Sequence, residues 1–504
     1  MELGAQHELV RTTEDRSWTF ALLDAVRSAS TSASERDEAF RTLAFLEDYR
    51  SVTPLTSMVE DGSLPEPVRD AASAVVAAFD DSTTGERRRA WWDSGDRVER
   101  AHALRLMDRS DADIVVAVAG DDQHPAQALA LTAMSFGFDE PKYQPIKIRA
   151  LGHPDADVRR VAADVLLWNE AVAAEGPLVS AASDPDSDVA TAAVDALQYY
   201  PSRRALRALA HLTEAGDEQV RGQVAESFGY SRSRFEELAA SRDSGRVAFL
   251  REWMRPVADL IRRPGEVPDQ EVPPPPTGWS PLVMSESELL ALLLDPDGKW
   301  APKKRAFHEV AWEEYSASAQ ERLSAELTEC PDPVVRESAT APLAAWARSA
   351  ELLALTSDPS FSVRKSAIYH LASLPRDPTV ARVAWDYMLD AGATTASEAL
   401  RTYVAHASAG EAKERLMELA LTDRRESIQA TAISCLVGLG AAGELESLTA
   451  VLNDPPGVTW ARHIAVIDGL RALPLPEPEL DHLTGVDNLD LIQSIVSLRC
   501  SSHQ

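Results

Sequence analysis

One phrase recurs along this chain at a nearly fixed interval, and it constrains the fold more than any other feature. The phrase is an acidic or Asp-Pro turn, a few residues, a Val-Arg pair, and a small residue three or four positions on. It reads His153-Pro154-Asp155-Ala156-Asp157-Val158-Arg159-Arg160-Val161-Ala162, and returns as Asp184-Pro185-Asp186-Ser187-Asp188-Val189 and as Asp217-Glu218-Gln219-Val220-Arg221. Upstream copies are Pro67-Val68-Arg69 and Asp96-Arg97-Val98-Glu99-Arg100. The anchors Val68, Val98, Val158, Val189 and Val220 are separated by steps of 30, 60, 31 and 31. The double step places a degenerate unit near Ala128, where an Ala-Leu helix pattern survives without the motif. The second half repeats the phrase at Pro331-Asp332-Pro333-Val334-Val335-Arg336 and Asp358-Pro359-Ser360-Phe361-Ser362-Val363-Arg364. Ile428 and Val458 continue it, with a second degenerate unit near Ala396.

Each unit makes physical sense as a helix pair. Proline cannot donate to a helix and so ends one, and the aspartate can cap the next. After the cap, Val158, Val161, Ala162, Val165 and Leu166 fall on one helical face. Leu178, Ala181 and Ala182 before one turn, and Ala205, Leu206 and Leu209 before the next, give the first helix a similar stripe. Neither helix buries its stripe alone, whereas stacked pairs share a continuous core. The expected fold class is therefore all-α: an α-solenoid, or superhelix, of antiparallel helix pairs repeating about every 30 residues. The anchor residues must be buried if this register is right.

The Asp-Pro-x-x-x-Val-Arg-x-x-Ala phrase resembles the HEAT-repeat family, in particular the short bacterial HEAT-like repeats also found in phycobilin lyase subunits. The resemblance covers most of residues 30 to 475. It implies that the phrase opens the second helix of each pair, which lines the concave surface. It also implies Asp–Arg pairing between neighbouring repeats, here involving Asp157, Arg159, Asp188, Arg221, Arg336 and Arg364. Ala190 follows Val189 where the pattern has Arg, so the ladder should break there.

Residues 264–281 interrupt the pattern with Pro273-Pro274-Pro275-Pro276 at their centre. Such a run favours extended polyproline conformation. The expected organisation is an N-terminal arm over 1–263, a Pro-rich linker or loop over 264–281, and a C-terminal arm over 282–504. A cap helix is expected within 489–498, after Pro474, Pro476 and Pro478.

The formal net charge of -30 disfavours a nucleic-acid partner, which wants a basic footprint, although a local basic patch keeps that reading open. It favours a protein partner with a basic face. Cys330, Cys435 and Cys500 are far apart, so neither a disulfide framework nor a zinc site is expected. Residues 1–18 carry acidic groups and no apolar run, and no stretch approaches about 18 uninterrupted apolar residues. The reading is a cytoplasmic protein, and the preference for Arg over Lys suits a GC-rich bacterial genome.

The sequence contains no phosphate-binding loop, dinucleotide fingerprint, nucleophile elbow or zinc-protease helix, so no enzyme activity, metal or cofactor is expected. His308-Glu309 is one isolated His-Glu pair, whereas HEAT-type hydroxylases use several to hold iron. Asp184, Asp186, Asp188 and Asp195 match part of a calcium loop, but Val189 stands where glycine is needed, which leaves turn and N-cap roles.

Aromatic residues recur near the ends of successive second helices: Phe136, Phe138, Trp168, Tyr199, Tyr200, Phe228 and Tyr230. They either form a stacking ridge or plug the core edge that Ala-rich helices leave open. Beside them lie Arg159, Arg160, Arg203, Arg204, Arg207, Arg232 and Arg234, followed by Arg242, Arg246, Arg251, Arg255, Arg262 and Arg263. Arg159, Arg160, Trp168, Tyr199, Tyr200, Arg203, Arg204, Arg207, Tyr230, Arg232 and Arg234 are the candidate partner-binding residues. The competing reading has the arginines paired with nearby carboxylates such as Glu214, Glu236, Glu237 and Glu252. The functional expectation is a non-catalytic scaffold gripping a protein, one version being an immunity protein that neutralises a basic toxin. A HEAT-like DNA glycosylase, drawing on Trp168 and Trp253, is the enzymatic alternative. A chromophore lyase rests on repeat type alone.

Overall fold

The computed structural model describes residues 3–79, 82–135, 137–138, 140–167, 171–200, 202–224, 226–227, 282, 284–390, 393–455 and 460–501. All regular structure among them is helical. The chain divides into two compact units, each built from two separate stretches: residues 1–111 with 273–386, and residues 112–272 with 387–504.

In both units the helices run as antiparallel pairs whose second members stack on one another. In the first unit, helix Glu66–Phe79 packs on Arg97–Leu106 and Pro333–Ala345 on Phe361–Leu371. In the second, Ala156–Leu167 packs on Ser187–Leu197 and Glu426–Gly438 on Ala461–Ala472. The anchors set this stacking. Val68, Val98, Val158, Val189, Val220, Val335, Val363 and Ile428 are all buried, as is Ala396 in one degenerate unit. Val458 lies outside the described residues. In the other degenerate unit the register shifts by one: Gln127 is buried instead of Ala128, and its amide donates to Ala119 O at 3.0 Å. A buried amide needs that partner where an anchor valine would need none.

The turns divide their labour more finely than the sequence suggested. Asp184, before the proline, accepts Asp186 N–H at 2.9 Å, while Asp186 caps helix Ser187–Leu197 through Asp188 and Val189 N–H. Asp358 and Ser360 divide the same two tasks in their repeat. The cap thus sits two residues after the Asp-Pro aspartate, and that first aspartate is left free to face the preceding repeat. It receives the arginine of the Val-Arg pair. Arg159 binds Asp184 through Nε and Nη2 at 2.8 and 2.9 Å, while its Nη1 donates to His153 O and Pro154 O. Arg336 repeats this on Asp358 at 2.7 and 2.8 Å, with Nη1 on Cys330 O and Pro331 O. Arg69 also binds Asp96 bidentately, but through Nη1 and Nη2, and Asp96 is at the same time the cap of helix Arg97–Leu106. The ladder implied by the family resemblance is therefore present at Arg159 and Arg336, but four of its six expected members, Asp157, Asp188, Arg221 and Arg364, take other partners. Asp157 binds Arg160 of its own helix, and Asp188 accepts the Gln219 amide at 2.9 Å. Arg221 and Arg364 donate to the carbonyls of their own turns. At Ala190 no guanidinium is present to reach the next turn, and Asp217 there caps its own helix by accepting Val220 N–H at 2.9 Å.

Helix Leu489–Ser501 packs on Ala461–Ala472 and buries Leu491, Ile492, Ile495 and Leu498, which closes that end of the second unit's core. The Pro-rich segment 264–281 lies outside the described residues.

Candidate functional site

The three second helices that follow Val158, Val189 and Val220 turn their valines inward and a polar lane outward. On helix Ala156–Leu167 that lane is Asp157, Arg160 and Asp164; on Ser187–Leu197 it is Asp188, Thr191 and Asp195. The spacing is one turn per step, so each lane lies on one helix face. Because the repeats are 31 residues apart, Asp157 aligns with Asp188, Asp164 with Asp195, and Asp188 in turn with Gln219. The lanes border an open groove of about 270 Å³ lined by Arg160, Asp164, Asp188, Thr191, Ala192, Asp195, Gln219 and Gln223.

The groove is electronegative. Three of its carboxylates face a single cation, Arg160, whose guanidinium is already divided between Asp157 at 2.6 Å and Asp164 at 3.0 Å. Asp195 accepts amide hydrogens from Gln198 at 2.5 Å and Gln223 at 3.1 Å. Burial pushes the Asp164 carboxyl above its ordinary value; Arg160 opposes the rise, and repulsion from Asp195 and Asp157 adds to it. Asp195 is raised as well, again chiefly by burial. Such carboxylates bear a penalty for their charge that a partner's cation can relieve. Thr191 Oγ1 is buried between the lanes with no hydrogen-bond partner among the described residues.

The sequence-predicted site residues are dispersed by comparison. Arg159 is committed to the Asp184 rung, and Arg160 enters the groove. Tyr200 is 1% exposed and donates its hydroxyl to Leu166 O at 3.1 Å, so it fills the core edge and cannot stand in an exposed stacking ridge. Tyr199 is half-buried. Arg203 Nε binds Asp487 at 2.8 Å, and Asp487 also accepts the backbone N–H groups of Arg203 and Arg204 at the start of helix Arg203–Ala215. Close by, Ser202 donates to the buried carboxylate of Glu175, whose pKa burial raises. The side chains of Arg204 and Arg207 are exposed. Trp168, Tyr230, Arg232, Arg234 and the later arginines of the cluster, with Trp253, lie outside the described residues.

The other chemical candidates take structural roles. Asp184 and Asp186 serve the rung and the cap, and Glu309 is bound by Arg305 at 2.7 Å. Among the described residues no group of three or more His, Cys, Asp or Glu side chains is placed to hold a metal ion. No helix among them is long and apolar enough to cross a membrane.

The family model for HEAT repeats matches residues 143–229, the stretch that builds this groove. Residues 143–229 are HEAT repeats. No curated protein matches the sequence. Among solved structures, importin beta is similar at 12% identity and a TM-score of 0.31, over 96% of this chain and 67% of its own. Human deoxyhypusine hydroxylase is similar at 15% identity and a TM-score of 0.26, over 46% of this chain and 97% of its own. An engineered protein is similar at 16% identity and a TM-score of 0.22, over 96% of this chain and 98% of its own. The groove residues Asp164 and Asp195 were not among the candidate partner-binding residues, Asp195 having been considered only as part of a calcium loop. Their signal was the 31-residue offset itself, read at the surface positions instead of at the valines.

Proposed function

We propose that the chain is a cytoplasmic, non-catalytic scaffold that holds a protein partner by a basic face, seated on the second-helix lanes of the HEAT repeats. The observation that carries this reading is the groove's excess of partly buried carboxylates over its one cation. A lysine or arginine side chain entering between Asp164 and Asp195 would lower the cost of their ionisation, and that relief is binding energy. Gln219, Gln223 and Thr191 supply neutral hydrogen-bonding groups that fix orientation. The arginines once candidates for the contact, Arg159 and Arg203 above all, are already neutralised by Asp184 and Asp487.

The test is affinity purification from the native host with the wild-type chain and an Asp164→Asn/Asp188→Asn/Asp195→Asn variant. A stoichiometric protein with a basic face, retained by the wild type, lost by the variant and eluted by salt, is the expected result. Recovery of no stoichiometric protein, or equal recovery by both chains, defeats the reading. A mobility shift with duplex DNA at low salt would instead favour the nucleic-acid alternative.

A further inference from the structure

Helix Phe361–Leu371 breaks two habits of this chain. Among the described residues the other exposed large apolar side chains occur one to a helix, yet here Phe361 at 37% and Tyr369 at 59% are both exposed on the same one. Single exposed aromatics are ordinary. These two are eight residues apart with exposed Lys365 midway, so all three lie on one stripe about 12 Å long. Tyr369 stands six residues after its anchor, the position that Asp164 and Asp195 occupy after theirs. The same lane of the second helix, acidic in the groove, is here aromatic and cationic.

The second departure is electrostatic. In a chain of charge -30, this helix contains Arg364, Lys365 and His370 and no acidic residue. Arg364 holds its turn as Arg159 and Arg336 hold theirs, with Nη1 donating to Asp358 O and Pro359 O at 2.7 Å each. In those two arginines the Nε–Nη2 edge then grips the turn aspartate of the next repeat. For Arg364 no carboxylate fills that edge among the described residues, and Lys365 likewise has none. The Arg364 fork is thus fixed on one side, open on the other, and 5.6 Å from the Phe361 ring centroid. A pre-positioned guanidinium edge selects a carboxylate by bidentate geometry.

We propose that the Phe361–Lys365–Tyr369 stripe with Arg364 is a docking surface for an acidic peptide segment of a partner protein. One carboxylate would take the Arg364 fork, another would face Lys365, and an apolar side chain would lie between the two rings. Exposed aromatics beside an arginine are the composition of an energetic hot spot. This surface lies in the first unit and has the opposite sign from the groove, so it requires a second partner region and does not rest on the groove's function.

The experiment selects phage-displayed random dodecapeptides on the full-length chain, then measures one synthetic winner by fluorescence anisotropy. Enrichment of acidic peptides bearing Leu, Phe or Trp is expected. Their affinity should fall at least about tenfold in Phe361→Ser/Tyr369→Ser and in Arg364→Gln, and fall with added salt. Lys365→Glu, a change at an exposed position that should leave unfolding temperature intact, should weaken binding as well. Asp164→Asn/Asp195→Asn should leave it unchanged, which separates this surface from the groove. Enrichment of basic peptides, or equal binding by the stripe variants, overturns the proposal. So does oligo(dT) binding lost in the same variants without any peptide enrichment, which would assign the stripe to single-stranded nucleic acid.

Discussion

Replacing Arg336 by alanine should reveal how much of the repeat stack is held by one rung of the arginine ladder. The guanidinium makes two bonds to Asp358, at 2.7 and 2.8 Å, and two to the carbonyls of Cys330 and Pro331. The side chains of the pair are 11% and 6% exposed. Removing one partner of a buried pair costs about 3–5 kcal/mol, because the other charge is left behind. Asp358 keeps the Ser360 N–H at 2.8 Å and some contact with solvent, so the lower end, about 3 kcal/mol, is the appropriate figure. For a unit of this size that is a fall of roughly 6–12 °C in unfolding temperature. The control is Arg382→Ala. Arg382 pairs with Asp386 within one helix, the two side chains being 68% and 59% exposed, and its loss should stay within about 0.5 kcal/mol. Calorimetry gives the global effect. Hydrogen exchange shows whether opening is confined to helices Pro333–Ala345 and Phe361–Leu371, as nearest-neighbour stacking requires. If Arg336→Ala shifts unfolding no more than Arg382→Ala, the rung is decoration and the argument for a ladder fails.

Other outcomes follow from the same structure. Gly469→Ala should destabilise despite alanine's better helix propensity, because an added Cβ would lie 2.6 Å from Val437 Cγ2 and 2.7 Å from Leu445 Cδ2; the expected net loss is about 1 kcal/mol or more by thermal melting, overpacking outweighing propensity. Gly438→Ala meets nothing within 4 Å and should instead stabilise by several tenths of a kcal/mol, or about that. Tyr200→Phe should cost about 1 kcal/mol for the lost bond to Leu166 O, with no effect on partner binding. Partner binding and folding should also separate with pH. Asp164 and Asp195 have folded-state pKa values raised by burial, so a basic partner loses their charge as pH falls through a range above about 3.9, the ordinary aspartate value. Protonating them does not weaken the fold, since a raised pKa means the folded state takes up the proton more readily. Asp184 and Asp96, held low first by hydrogen bonds from Arg159 and Arg69, contribute stability that is lost only below that value. Titration calorimetry against circular dichroism should therefore find a window, above about pH 4, in which the partner is released and the repeats stay folded.

The fold was legible because the repeat writes the same local instructions many times. A valine every 30 residues or so, a proline-marked turn and an Ala-rich face leave each helix pair one way to bury its stripe, and the anchors are buried as that logic requires. Contacts between distant stretches left no such trace. Arg16 reaches Asp332 at 2.5 Å across 316 positions, 2% and 6% of the two side chains being exposed, and Arg50 reaches Asp297. Nothing near Arg16 in sequence marks it as the buried partner of a helix cap, because a repeat pattern specifies only the neighbouring repeat.

The candidate site was less legible for a related reason. Counting arginines between 159 and 263 measures how much positive charge a segment carries, whereas a surface depends on which charges remain after pairing. Arg159 and Arg203 look alike in a composition profile, yet one belongs to a rung and the other to Asp487 from the far end of the chain. What survives pairing is found by applying the repeat period to the outward positions. The offset that aligns Val158 with Val189 also aligns Asp164 with Asp195, and the same six-residue step from Val363 arrives at Tyr369. In a solenoid the buried positions must stay alike for the stack to close, whereas outward positions are free to vary, and the change from Asp164 and Asp195 to Tyr369 is a change at such outward positions.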